Sequence, residues 1–154
     1  MIDAHQLRHD IVRPALKLIN EIIPWSETAE DLVLGTIAHE SKMGRYVRQI
    51  RGPALGIVQM EPATHDDIVA NFLLNRIDMY RVMASNFGIL NSDKLIHDMF
   101  YAAVFCRLHY YRVPKPLPKH NVDSIAEYWK EHYNTYMGRG TVEQFVIDYK
   151  GLVK

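Results

Sequence analysis

The dipeptide His39-Glu40 is where this sequence first offers chemistry, in the stretch GTIAHESKMGRYVRQIRGPALGIVQMEPATHDDI that runs from Gly35 to Ile68. A zinc-protease helix needs His-Glu-x-x-His, which sets two imidazoles one turn apart on a metal. The fifth position here is Met43, so that motif fails. His5 and His9 share the i, i+4 spacing, but no third ligand accompanies them and they read as surface histidines. No GxxxxGK[ST] loop is present to cradle a phosphate, and no metal or other cofactor is expected. Glu40 therefore has to be read alone. Its neighbours Leu34, Ile37 and Ala38 are apolar, and a carboxyl in such surroundings is costly to ionise, so its pKa should rise toward the range useful to a general acid. A helix C-terminus, whose macrodipole disfavours negative charge, pushes the same way. The competing reading is a solvated or salt-bridged glutamate, with Lys42, Arg45 and Arg48 at hand. Downstream, Gly52 and Gly56 let backbone approach a ligand closely. Gln59 offers both a donor and an acceptor, as sugar hydroxyls and acetamides require, and Pro62 starts a helix with Thr64 in its first turn.

In this order the residues resemble the soluble lytic transglycosylase domain and its relatives, the goose-type lysozymes. That family carries Glu-Ser at the end of a helix, then a glycine-alanine loop leading into Gly-Leu-x-Gln-x-x-Pro-x-Thr. The counterparts here are Glu40-Ser41, Ala54, Gly56-Ile57-Val58-Gln59, Pro62 and Thr64. A third block, Tyr-Asn ahead of glycines, is matched by Tyr133-Asn134 with Gly138 and Gly140 behind. The span from Leu32 to Phe145 covers most of the chain. The resemblance implies a mainly α, lysozyme-like helical domain over residues 1–154, with a short irregular loop or β-hairpin after the catalytic helix. It also implies a groove for the glycan strands of peptidoglycan.

On the same resemblance Glu40 is the general acid, protonating the glycosidic oxygen of the β-1,4 bond between N-acetylmuramic acid and N-acetylglucosamine. In a lytic transglycosylase it then acts as base while the muramic 6-hydroxyl closes on its own anomeric carbon, giving a 1,6-anhydro end without water. One carboxylate then suffices, where ordinary glycosidases use a pair. Gln59 and Ser41 would serve substrate positioning and loop support, with Gly56 in the same substrate loop. Tyr133 would orient the catalytic carboxyl or line the groove, and Asn134 would hold its segment. The sequence departs from the family at Pro53, where a glycine is usual, and at Glu61, where an apolar or small residue is usual. Glu61, Asp66 and Asp67 read as acids of a first helical turn. As a second carboxylate activating water, one of them would make the chain a lysozyme-type hydrolase. A non-catalytic, lysozyme-like virion component is the third reading, against which the retention of Glu40 with Gln59 argues.

Apolar residues recur at helical spacing almost throughout. Ile11, Ala15, Leu18, Ile19 and Ile22 form a stripe closed by Pro24. A second helix, capped by Ser26 or Thr28, carries Glu40 and stops near Gly44. Residues 45–61 break the period. Further helices are predicted from Pro62 to about Leu74, over 76–86, from Ser92 or Asp93 to Pro114, over 123–136 and over 141–152. Tyr110, Tyr111, Trp129 and Tyr136 are candidate groove walls, although core packing explains aromatics at helical spacing equally well. Trp25 reads as a core plug, Met79, Met83 and Met99 as gap-fillers, and Cys106 as a buried inert thiol.

A formal net charge of +0 leaves no bulk electrostatic footprint for nucleic acid. No apolar run approaches the length of a membrane span. The N-terminus, MIDAHQLRHD, is too polar for a signal peptide. An enzyme of this kind is accordingly expected to be phage-encoded, made in the host cytoplasm and brought to the wall by release or by virion delivery, as an endolysin or beside other virion components.

Overall fold

Ser26 opens the helix that carries Glu40. Its hydroxyl accepts from the Ala29 amide at 3.1 Å, and Glu27–Ser41 follows as helix α2. Ala29, Leu32, Val33, Leu34, Ile37 and Ala38 are each 0% exposed, so apolar residues cover this helix all round. A helix of that kind belongs at the centre of a bundle. Gly35 permits the closest approach, since a Cβ there would meet the Phe145 ring at 2.6 Å.

The computed structural model describes residues 1–134 and 138–153. Helix α1 joins Ala4–Gln6, a π-helical Leu7–Val12 and Arg13–Leu18. Helix α3 joins Pro62–Asp67, a π-helical Ile68–Phe72 and the 3-10 turn Leu73–Asn75. Helices α4 (Ile77–Phe87), α5 (Lys94–His97) and α6 (Met99–Tyr111) follow. Helix α7 is Val122–Trp129 extended by the π turn Lys130–Asn134, and α8 is Val142–Leu152. The result is a mainly α-helical domain of 8 helices, with no β-strand among the described residues. Helix α2 packs on α1, α6, α7 and α8. No helix among the described residues is long and apolar enough to cross a membrane.

Two helices differ in their bounds from the sequence reading. The first helix begins at Ala4, capped by Asp3 Oδ1 on the Gln6 amide at 3.0 Å, and ends at Leu18. The long helix expected up to Pro114 is broken at Asp98, which is extended at φ −123 and ψ 100 and caps the Tyr101 amide at 3.0 Å. A short acidic side chain competes for nearby backbone N–H groups, so it serves a cap better than a helix interior.

One buried cluster fastens α1 to α2. Glu30, 0% exposed, accepts from Arg13 Nε and Arg8 Nη1, both at 2.7 Å, and from Trp25 Nε1 at 3.1 Å. Burial pushes the Glu30 carboxyl up, but these hydrogen bonds outweigh it and hold the pKa below its ordinary value. Trp25, expected as a core plug, is half-buried and acts as a donor.

Past Ser41 the chain takes three left-handed residues in a row, Lys42 (φ 52), Met43 (φ 59) and Gly44 (φ 77). For Lys42 and Met43 this conformation costs on the order of 1 kcal/mol each. Offsetting it, Met43 is buried and its carbonyl accepts from the Ile2 amide at 2.7 Å. Residues 45–61 then form an irregular loop with isolated antiparallel bridges between Arg48 and Leu55 and between Leu55 and Met60. Gly56 (φ 77) seats this loop on α5, and a Cβ there would lie 2.0 Å from the Leu95 carbonyl oxygen. Gly56→Ala should therefore destabilise the fold by about 2–3 kcal/mol, from a strained φ and a backbone clash together. Gly151→Ala is the matched control: nothing lies within 4 Å and the site is helical, so a gain of roughly 0.5–1 kcal/mol is expected. Urea unfolding of both variants measures the two signs.

Candidate active site

The C-terminal turn of α2, the 45–61 loop, the start of α3 and the end of α7 enclose a cleft of about 740 Å³. Glu40, His39, Gln59, Glu61, Tyr133 and Asn134 line it, with Thr64, His109 and Arg139 nearby. Residues far apart in the chain are thus brought to one place by the packing of α7 on α2.

Glu40 is half-buried, and Trp129 Nε1 donates to its Oε1 at 3.0 Å. Burial raises the carboxyl pKa to about 7, against the smaller lowering effects of the Trp129 hydrogen bond and the Lys42 charge. The salt-bridged alternative is not what the structure holds, because Lys42 Nζ bonds Asp148 Oδ2 at 2.7 Å and neither Arg45 nor Arg48 pairs with Glu40. A carboxyl with that pKa is half protonated near neutrality, so it can both give and take a proton there.

His39 enters as more than half of a failed zinc motif. Its Nδ1 lies 2.8 Å from Asp148 Oδ2, and its ring meets the Trp129 ring edge-on at 4.5 Å between centroids. Asp148 is 8% exposed and also accepts from Gln144 at 3.2 Å. Burial lowers the His39 pKa despite that carboxylate, so the ring is neutral at pH 7. An acceptor-only carboxylate on Nδ1 puts the proton there and leaves Nε2 as the lone-pair nitrogen.

The other sequence candidates divide. Gln59 lines the cleft at φ 49, a strained conformation for a residue with a Cβ, and its Nε2 donates to the Gly56 carbonyl at 2.9 Å. Its amide oxygen is left as the acceptor. Tyr133 lines the cleft too, but its hydroxyl donates to the Val58 carbonyl at 2.6 Å instead of orienting the Glu40 carboxyl, a task that falls to Trp129. Asn134 Oδ1 accepts from Lys130 Nζ at 2.8 Å, and the same ammonium holds the Gly140 carbonyl at 2.7 Å. Glu61 lines the cleft with an exposed side chain that makes no capping bond.

Four candidates do not reach the cleft. Ser41 is 0% exposed, its hydroxyl donating to the Ile37 carbonyl and accepting from the Gly44 amide, so it secures the turn and not a substrate. Gly56 is buried against Leu95. Asp66 pairs with His65 at 2.9 Å and Asp67 with Arg112 at 2.5 Å, away from Glu40. Of the proposed aromatic walls, Tyr110 and Trp129 are buried and Tyr111 faces elsewhere, while Tyr136 lies outside the described residues. Cys106 is fully buried, and burial pushes its thiol pKa up. Among the described residues, no group of three or more His, Cys, Asp or Glu is placed to hold a metal ion.

Comparison with protein-family models, with curated proteins and with solved structures finds no match.

The raised Glu40 pKa carries a cost in stability. From the ordinary value of 4.5 up to about 7, the folded protein keeps a proton that the unfolded chain releases. Stability attributable to this group therefore falls as pH rises through that window and levels off above it. Glu40→Gln removes the ionisation, so it should match the wild type at pH 4 and exceed it by about 3 kcal/mol at pH 8. Urea denaturation across that range reads the difference, and a flat difference would mean an ordinary surface glutamate.

Proposed function

We propose that this protein cleaves the β-1,4 bond between N-acetylmuramic acid and N-acetylglucosamine in peptidoglycan, as a lytic transglycosylase with Glu40 as both acid and base. The observation that carries the reading is a glutamate without an ion-pair partner, raised to about neutrality by burial, at the wall of a cleft of about 740 Å³. The Glu-Ser, Gly-x-x-Gln and Tyr-Asn blocks supply the substrate class. The protonated carboxyl gives its proton to the glycosidic oxygen as the bond to the muramic anomeric carbon breaks. The carboxylate so formed takes the proton of the muramic 6-hydroxyl as that oxygen closes on the anomeric carbon, so one group serves both steps and no water is consumed. Trp129 fixes the carboxyl's orientation through its indole N–H. Gln59 offers an amide oxygen to a sugar hydroxyl or acetamide N–H, and the Tyr133 ring offers an apolar face to a sugar.

One observation favours a second reading. Glu61 lines the same cleft with an exposed carboxylate, so water activated there would make the chain a lysozyme-type hydrolase of the same bond. Asp66 and Asp67, each turned to other partners, are poor candidates for that role. The non-catalytic virion module is disfavoured, since a scaffold gains nothing from a half-buried acid that no cation answers.

The deciding experiment digests purified peptidoglycan with wild type, Glu40→Gln and Glu61→Gln and reads the released muropeptides by mass. Anhydro-muramic ends from wild type and from Glu61→Gln, with a loss of about 100-fold or more in Glu40→Gln, are expected. Products heavier by one water and lost in Glu61→Gln would establish the hydrolase instead. A folded wild type that releases nothing would overturn the enzymatic reading.

A further inference from the structure

A second depression, of about 420 Å³, shares no lining residue with the cleft around Glu40. Its charged residues are Arg76, Arg107, Arg112 and Lys115, and no aspartate or glutamate lines it. Two of these cations are already answered from outside the lining. Arg112 bonds Asp67 at 2.5 Å, and Lys115 bonds Glu131 at 3.0 Å. The other two are not. Arg76 stands over the Phe72 ring at 4.2 Å and has no carboxylate among the described residues.

Arg107 is the telling residue. It projects from α6 and is only 5% exposed, yet its guanidinium makes no hydrogen bond or ion pair with any described residue. Its head lies over the face of the Tyr111 ring, 5.4 Å away. A guanidinium cannot shed its proton to escape such a site, so burial works against a charge that stays. Elsewhere this chain does not leave a buried charge so: Glu30 is met by two arginines and an indole. Nor is the Arg107 head sealed away. Among the described residues none of its guanidinium nitrogens is fully buried without a partner, so each keeps some exposure, and the depression that Arg107 lines is where they open.

We propose that this depression binds a small ligand carrying an oxyanion, a phosphate monoester or a carboxylate, on a flat ring. Arg107 supplies the planar fork of N–H donors that matches two oxygens of such a group, and Arg76 supplies a second cation at the same site. Tyr111, the exposed ring of the lining, offers an edge and face to the remainder of the ligand, with the buried Phe72 and Tyr128 as apolar walls. Two uncompensated arginines select a charged group over a neutral one. A site of about 420 Å³ selects a small molecule over a polymer. The proposal is independent of what Glu40 does.

Titration calorimetry of the full chain at constant ionic strength tests it, with phenyl phosphate, benzoate and inorganic phosphate as probes. Saturable binding of phenyl phosphate or benzoate, tighter than that of inorganic phosphate, is expected. The tighter of the two ring probes assigns the oxyanion as phosphate or carboxylate. Arg107→Met should weaken that binding by about tenfold or more, because the bidentate pair is lost. The unliganded variant should melt no lower than wild type, because an apolar side chain of similar length replaces an unpaired buried charge. Should Arg107→Met fail to fold, exposed Arg76→Gln carries the test with a smaller loss of affinity. No saturable binding to wild type at millimolar probe, or equal affinity in the arginine variants, would overturn the proposal.

Discussion

Burying the body of α2 on all sides forces a charge carried on its buried turns to find a partner within the bundle or to give up its charge. Glu30 and Glu40 take the two courses. Glu30 collects two guanidinium groups and an indole N–H and stays ionised in a place no water reaches. Glu40, near the other end of the same helix, receives one indole N–H and no cation, so burial prevails and the proton is retained to about pH 7. The first glutamate anchors α1, and the second gives the cleft its acid. Both depend on a helix rigid enough to hold them, which its apolar girdle and the close approach at Gly35 provide.

Keeping Glu40 without a cation takes further arrangement, because Lys42 lies two residues away. Asp148 on α8 draws that ammonium off and at the same time holds the His39 ring in one tautomer. Trp129 links the two sides, its indole donating to Glu40 while its ring packs edge-on against His39. The left-handed run at Lys42 and Met43 and the left-handed Gln59 show the backbone kept in costly conformations on both flanks of the acid. Packing elsewhere sustains them: Met43 is buried, Ser41 ties the turn, and Tyr133 holds the Val58 carbonyl beside Gln59.

The helical class and the acid were legible because both are written in short-range pattern: apolar spacing, a cap at Ser26, and a glutamate among apolar neighbours at a helix end. The partners of that acid were not. Trp129 reads as wall or core in a list of aromatics, and nothing local says that its N–H reaches back to α2. Asp148 sits in an ordinary amphipathic stretch, and its pairing with His39 and Lys42 exists only once α8 packs on α2. Ser41 and Gly56 were picked out by motif, yet their work is in the turn and the loop, because a motif records which residues occur together and not which side each faces. Asp98 could have been read as a cap, and a strong apolar period on either side concealed it. Arg107 gave no sign at all, since an arginine in an apolar helix ordinarily reaches solvent or a carboxylate.

If Glu40 serves as proposed, the position of Asp148 has a consequence for how such a protein would lose its chemistry over time. A substitution there leaves Glu40 in place, but it would free the His39 ring in the cleft wall and release the Lys42 ammonium toward Glu40, favouring ionisation of that carboxyl. The fold, the cleft and the glutamate would all persist in a copy that had gone silent. Under the proposed function, retention of residue 148 among descendants of this sequence would therefore mark a working copy at least as well as retention of residue 40.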